Sequence, residues 1–247
     1  MKALRTIVAA GMLHLTVATS AAWAGSREVK TVESAAEVIH ALAGIPLRGI
    51  PSGLLHDAAG VAVIPHVIKT AFVLDAHFGR GVIVVHEPDG RWGNPVFITL
   101  TGGGAGAQAG IELTDLVLVF KTRKSLDRAL QGRLTLGEDV TVAAGPLGRD
   151  AEAATDRRLL KAEIYSYSRS RGLFAGMSRE GARLHMDTRA NEVFYGLRDG
   201  RPEGVFGYRG APLAVAETLK ARIAELSGMP PPVVVPVPVG PPHPVRP

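Results

Sequence analysis

Four histidines, His56, His66, His77 and His86, recur at near-regular spacing through one apolar region of the sequence. On a meander of strands such residues can converge on a metal, which neutral imidazole binds well. The spacing argues against it, since no pair stands at i, i+2 or i, i+4, and His77 and His86 flank separate turns. Cysteine is absent, which excludes a thiol nucleophile, a thiolate metal site and a disulfide. Neither Gly-x-Ser-x-Gly nor His-Glu-x-x-His occurs, and the inventory yields no nucleophile, base and oxyanion donors that group together. Asp115 directly precedes an apolar run. It reads either as a buried carboxylate or as a strand-start residue bonding nearby backbone. The expectation is a non-catalytic protein with no cofactor and no metal, and a hydrolase is the rival reading.

The second candidate is glycine. Between the apolar runs 96–100 and 116–120 lie Gly102, Gly103, Gly104, Gly106 and Gly110, with Gln108 the one polar side chain among them. Glycine inside regular structure costs about 0.5–1 kcal/mol relative to Ala, so a bare backbone is needed here. The need is either a tight strand crossing or a ligand lying on the chain. Gly104, Gly106 and Gly110 nearly form a dinucleotide fingerprint, but the last spacing is one residue too long. A β pattern also follows where that motif requires a helix.

The remaining chemistry is electrostatic. Residues 26–44 read as an amphipathic helix, with Val29, Val32, Ala36, Ile39 and Ala43 at three- and four-residue steps. Such a helix either packs on the domain by its apolar stripe or lies on a lipid surface. In the second case Val29, Val32 and Ile39 insert, and Arg27, Lys30, Arg48 and Lys69 attract anionic head groups, with Glu33 and Glu37 opposing them. A second basic cluster, Arg169 and Arg171, is interleaved with Tyr165 and Tyr167, a pairing suited to a phosphate-bearing interface.

The elements that position these residues follow from periodicity and turn chemistry. A basic start, an apolar region over 7–18 and Ala22-Trp23-Ala24 read as a signal peptide over 1–24. Its removal takes Lys2 and Arg5, so the formal charge falls from +5 to +3. The expected location is therefore periplasmic or secreted, and nucleic acid is not an expected partner. Residues 25–228 then form one domain, and 229–247 a Pro- and Val-rich disordered tail that favours extended polyproline conformation. A tether to an envelope partner is the alternative reading of the tail, and a structural protein acting through it is a further rival reading.

Within the domain, a short helix is expected over 47–59. Strands are expected over 60–68, 71–78 and 81–86, with Phe78-Gly-Arg-Gly81 and Glu87-Pro-Asp-Gly90 as turns. A helix over 123–131 and a strand over 137–145 come next, and 162–170 alternates in part as a strand does. Two more strands, 173–177 and 181–186, precede helices over 187–196 and 212–227. Successive short turns imply antiparallel neighbours. The fold class is thus α+β: a curved, barrel-like antiparallel sheet with helices at the N- and C-terminal ends.

Seven segments in order, AAGVAVIPHVIKTAFV, GRGVIVV, DGRW, GGGAGAQAGIELTDLVLVF, AAGPLGRDAEAATD, IYSYSRSRGLFAG and NEVFYG, resemble the SYLF domain family. That family includes the lipid- and actin-binding domain of fungal endocytic SH3 proteins. The resemblance runs from Ala58 to Gly196. It implies a non-catalytic domain that binds anionic phospholipid, here an exported member of the cell envelope. The family often has Ser where this chain has Gly104 and a bulky apolar residue where it has Ala107, so the glycine loop is barer here. The family's N-terminal lipid-binding helix is matched in character only.

Overall fold

A computed structural model describes residues 25–43, 49–71, 75–104, 110–145, 161–168, 181–211 and 213–229. Helix α1 covers residues 25–43, and a single short turn, α2 (Ser52–His56), follows. Four long strands come next: β1 (Gly60–Ala71), β2 (Asp75–Val85), β3 (Val96–Gly104) and β4 (Gly110–Phe120). Helix α3 (Arg123–Leu130) is followed by the short strands β5 (Leu134–Leu136) and β6 (Val142–Ala144). The chain continues through β7 (Ile164–Ser168), β8 (Ala182–Met186), α4 (Thr188–Tyr195), α5 (Pro202–Phe206) and α6 (Ala214–Leu226).

The strands form one eight-stranded sheet in the order β5-β8-β3-β2-β1-β4-β7-β6. It is nearly closed and barrel-shaped, with helices at both ends, as the sequence led us to expect. One pair departs from the antiparallel expectation: β6 runs parallel to β7.

Along the apolar runs both faces of the sheet are buried, which accounts for those runs being unbroken. One face carries Val61, Val63, Val82, Val84, Val117 and Val119 under α1, α2 and α6. The other carries Ala62, Ile64, Ile83, Leu116, Leu118 and Phe120 and packs on α3. Side chains alternate between the two sets because the strand period is 2.

The expected turn at 78–81 is absent, and β2 runs straight through it. The glycines there answer to β1, not to a chain reversal. β1 bulges between Ile64 and Val67, shifting register against both neighbours, and His66 takes a φ of 50°. A Cβ on Gly79 would lie 2.7 Å from Ile64 Cγ2, and one on Gly81 would strike the Val63 carbonyl and lie 2.8 Å from Ile64 Cα. Two glycines in β2 leave the space that the β1 bulge occupies.

The strand expected over 137–145 is also corrected. Gly137 turns at a φ of 86°, Val140 makes an isolated bridge to Leu136, and the strand within the expected span is β6. The helix expected over 47–59 shortens to α2. The expected helix over 123–131 is α3, capped by Thr122, whose hydroxyl accepts the Ser125 N–H at 3.2 Å. α4 begins at Asp187, which accepts the Ala190 N–H at 3.0 Å, and ends at Gly196 with a φ of 66°. The fully buried Asn191 ties α4 to the sheet. Its Oδ1 accepts the Phe97 N–H at 2.8 Å, and its Nδ2 donates to the Gly200 carbonyl at 2.7 Å. The signal-peptide segment, the expected strand 173–177, the turn at 145–148 past Gly145, most of 149–162 and the tail past Met229 lie outside the described residues.

Candidate functional site

α1 presents three faces, because residues three and four apart share one side of a helix. Val32, Ala35, Val38, Ile39 and Leu42 point into the core. This corrects the lipid-insertion reading of the stripe: Val32 and Ile39 are sealed inside the protein, and the packing alternative holds for them. Arg27, Lys30, Thr31 and Ser34 form a second side. Glu33 and Glu37 lie on a third, lining a different groove from the bases that they were expected to offset.

The basic side of α1 meets the sheet where the β1 bulge ends. There Arg27, Lys30, Thr31 and Ser34 of α1, with Pro65, His66 and Ile68 of β1 and Phe78, Gly79 and Arg80 of β2, line a niche of about 270 Å3. The Arg80 guanidinium carbon lies 5.8 Å from the centre of the Phe78 ring, a cation–π arrangement. Asp115 is half-buried, and its Oδ1 accepts the His66 N–H at 3.1 Å, which pins the bulge. This is the backbone-bonding alternative for Asp115, made across two strands instead of locally.

Beyond the niche the same sheet face is uncovered. Ile68 of β1 pairs in register with Phe78 of β2 and Leu113 of β4, so the three stand side by side. They are the large apolar side chains left exposed among the described residues: Ile68 at 40%, Phe78 at 44% and Leu113 at 61%. The row continues through Thr101 of β3 to Arg183 of β8.

Of the residues expected at a lipid site, Arg27 and Lys30 line the niche. Lys69 follows Ile68 on β1 and pairs in register with His77 and Glu112. Arg48, Arg169 and Arg171 lie outside the described residues, as do Gly106 and Gln108 of the glycine loop. Gly102, Gly103 and Gly104 extend β3 opposite His77, Ala76 and Asp75, and Gly110 opens β4 opposite Ala71. At Gly102 the bare backbone serves strand packing, since a Cβ there would sit 3.3 Å from Ala182 of β8. Sequence reasoning missed Ile68, Phe78, Leu113 and Arg80. Ile68 and Leu113 sit in segments that read as apolar strands, and Phe78 and Arg80 in one that reads as a turn, so only the cross-strand register brings them together.

The four histidines do not gather. Among the described residues no three His, Cys, Asp or Glu side chains are grouped to hold a metal. His86 stacks on Trp92 at 4.9 Å, and His56 bonds its neighbour Asp57 at 3.0 Å. Burial pushes the Tyr195 and Tyr167 phenols far above their ordinary value, so both stay neutral. Tyr195 donates to the Pro95 carbonyl at 2.7 Å, a structural bond. No helix among the described residues is long and apolar enough to cross a membrane.

The described residues thus place a cationic niche on a nearly closed sheet. The family model described as Ysc84, Las17-binding protein actin regulator, matches residues 101–226, and the chain belongs to this family, the SYLF family of its motifs. It is 43% identical over 149 residues to LAS seventeen-binding protein 3 of Saccharomyces cerevisiae (strain YJM789), covering 60% of this chain and 32% of that protein. It is 42% identical over 164 residues to SH3 domain-containing YSC84-like protein 1 of Xenopus laevis, covering 66% and 48%. With the Homo sapiens protein of the same name the identity is 40% over 151 residues, covering 61% and 44%. The chain thus spans from 32% to 48% of the length of these relatives. No solved structure matches it.

Proposed function

We propose that this chain is an exported, non-catalytic SYLF protein that binds anionic phospholipid surfaces reversibly through the uncovered sheet face and the basic side of α1. One observation carries the reading: an exposed apolar row, Leu113, Ile68 and Phe78, borders a niche that holds Arg27, Lys30 and Arg80. Apolar side chains that enter the head-group boundary beside cations that meet phosphate are the two components of peripheral membrane binding. The N-terminal basic, apolar and Ala-x-Ala pattern supports export.

Sedimentation with vesicles tests this. Phosphatidylcholine vesicles containing phosphatidylglycerol should pull down the protein, and pure phosphatidylcholine vesicles should pull down far less. Equal recovery with both would defeat the reading. The relatives' printed names, Las17-binding and SH3 domain-containing, favour a second reading, a protein-binding module. It predicts no vesicle recovery of either kind and a partner retained by the immobilised chain.

A further inference from the structure

The third face of α1 borders an open, mainly apolar groove of about 840 Å3, between α1, α4 and α6. Val29 and Ala36 of α1, Phe194 of α4 and Val215 and Thr218 of α6 line it. Glu33 and Glu37 stand on its rim, exposed and without an ion pair among the described residues. Arg222 also borders the groove, but it faces Glu225 at 3.5 Å.

We infer that the C-terminal segment 230–247 of this same chain docks in that groove. Three observations favour this occupant. First, the segment starts at the end of α6, the helix that lines the groove from Ala214 to Arg222. α6 ends in a Schellman turn: Gly228 has a φ of 70°, Met229 N–H donates to the Ala224 carbonyl at 2.9 Å, and Gly228 N–H to that of Glu225 at 3.1 Å. The turn leads the chain off the helix axis, and Met229 packs on the core cluster that contains α1.

Second, length and composition fit. The eighteen residues hold nine prolines and six valines. Extended at ~3.1 Å per residue they span about 55 Å, whereas the 13-residue α6 is about 20 Å long. Proline removes backbone donors that an apolar groove would leave unsatisfied, and a preformed polyproline helix docks against an aromatic wall with little ordering entropy. Phe194 supplies that wall.

Third, the charge is complementary. The segment's charged side chain is Arg246, with His243 nearby and no acid, and the rim offers Glu33 and Glu37. The docked segment covers the acidic side of α1 and leaves the basic side open, so it does not compete with the lipid site.

The absence of cysteine makes a direct test simple. In the full chain, Thr218→Cys places one thiol in the groove, and Ser34→Cys places one on the basic side of α1. Maleimide labelling rates are measured with the native tail and with Val233, Val234, Val235 and Val237 all changed to Asp. A tether sets an effective concentration of about 1 mM, so an intrinsic Kd near 0.1 mM gives about tenfold protection. The expected result is a labelling rate at Thr218→Cys that rises about tenfold on changing the tail, at every protein concentration. The rate at Ser34→Cys should not move.

A fast rate with either tail overturns the inference. So does a slow rate with both, which assigns the groove to another segment such as 1–24. Protection that disappears on dilution overturns it in favour of a second copy.

Discussion

Changing Phe78 and Leu113 together to Asp is expected to abolish vesicle binding at any salt concentration while the protein stays folded. Both side chains are partly exposed, at 44% and 61%, so folding loses the apolar area each already buries, about 2–3 kcal/mol apiece at about 25 cal/mol per Å2. Strand preference adds about 1 kcal/mol at most. Membrane binding loses a comparable amount. At about 25 cal/mol per Å2, burying the exposed part of each ring or branched chain contributes about 2–3 kcal/mol. Removing both costs about 4–6 kcal/mol, on the order of a thousandfold or more in affinity. Salt cannot restore a contact that is not ionic. Co-sedimentation at low and at 1 M salt, with circular dichroism as the folding check, makes the measurement. Binding within threefold of the native protein would remove the apolar row from the account.

Charge reversal at the niche gives a different signature. Arg27→Glu with Lys30→Glu should weaken binding to anionic vesicles by about thirtyfold to a thousandfold at low salt. Each base near an anionic surface contributes about 1 kcal/mol, and each new carboxylate adds repulsion of comparable size. Both side chains are exposed, and Arg27 approaches the buried Glu28 carboxylate at 4.0 Å. The effect should shrink to a few-fold at 1 M salt, where the screening length falls to ~3 Å. A loss that is the same at both salt concentrations would mean that the two residues act by packing and not by charge.

The two signatures together separate the components of the site, and only one of them was legible in the sequence. Arg27 and Lys30 were found because they flank a helical stripe, a pattern local to one element. The stripe itself was ambiguous, since a helix that packs on a sheet and one that lies on lipid share the same period. Burial of Val32 and Ile39 settles that ambiguity, and no local signal distinguishes it. The apolar row was hidden for a related reason. Ile68, Phe78 and Leu113 belong to three strands, and the bulge at Pro65-His66 turns Ile68 to the face that Phe78 and Leu113 share. A one-residue shift moves every later side chain to the other side of a sheet. The same bulge misled the reading of Gly79 and Gly81, because glycine marks a chain reversal and a close backbone approach equally well. Two helix spans were read closely: that expected over 123–131 is α3, and that over 187–196 is α4. Thr122 and Gly132 bracket the first, and Asp187 and Gly196 the second, because capping depends on neighbours in sequence alone.

The measurement that tests the central claim most directly is site-specific fluorescence on a chain with no cysteine of its own. Leu113→Cys places an environment-sensitive dye in the apolar row. Lys124→Cys places one on the exposed side of α3, past the other end of β4. On addition of anionic vesicles, the dye at 113 should shift to shorter wavelength and lose most of its quenching by aqueous iodide. The dye at 124 should keep both its spectrum and its quenching. Equal iodide access at 113 with and without vesicles, under conditions where the protein is bound, would contradict the account.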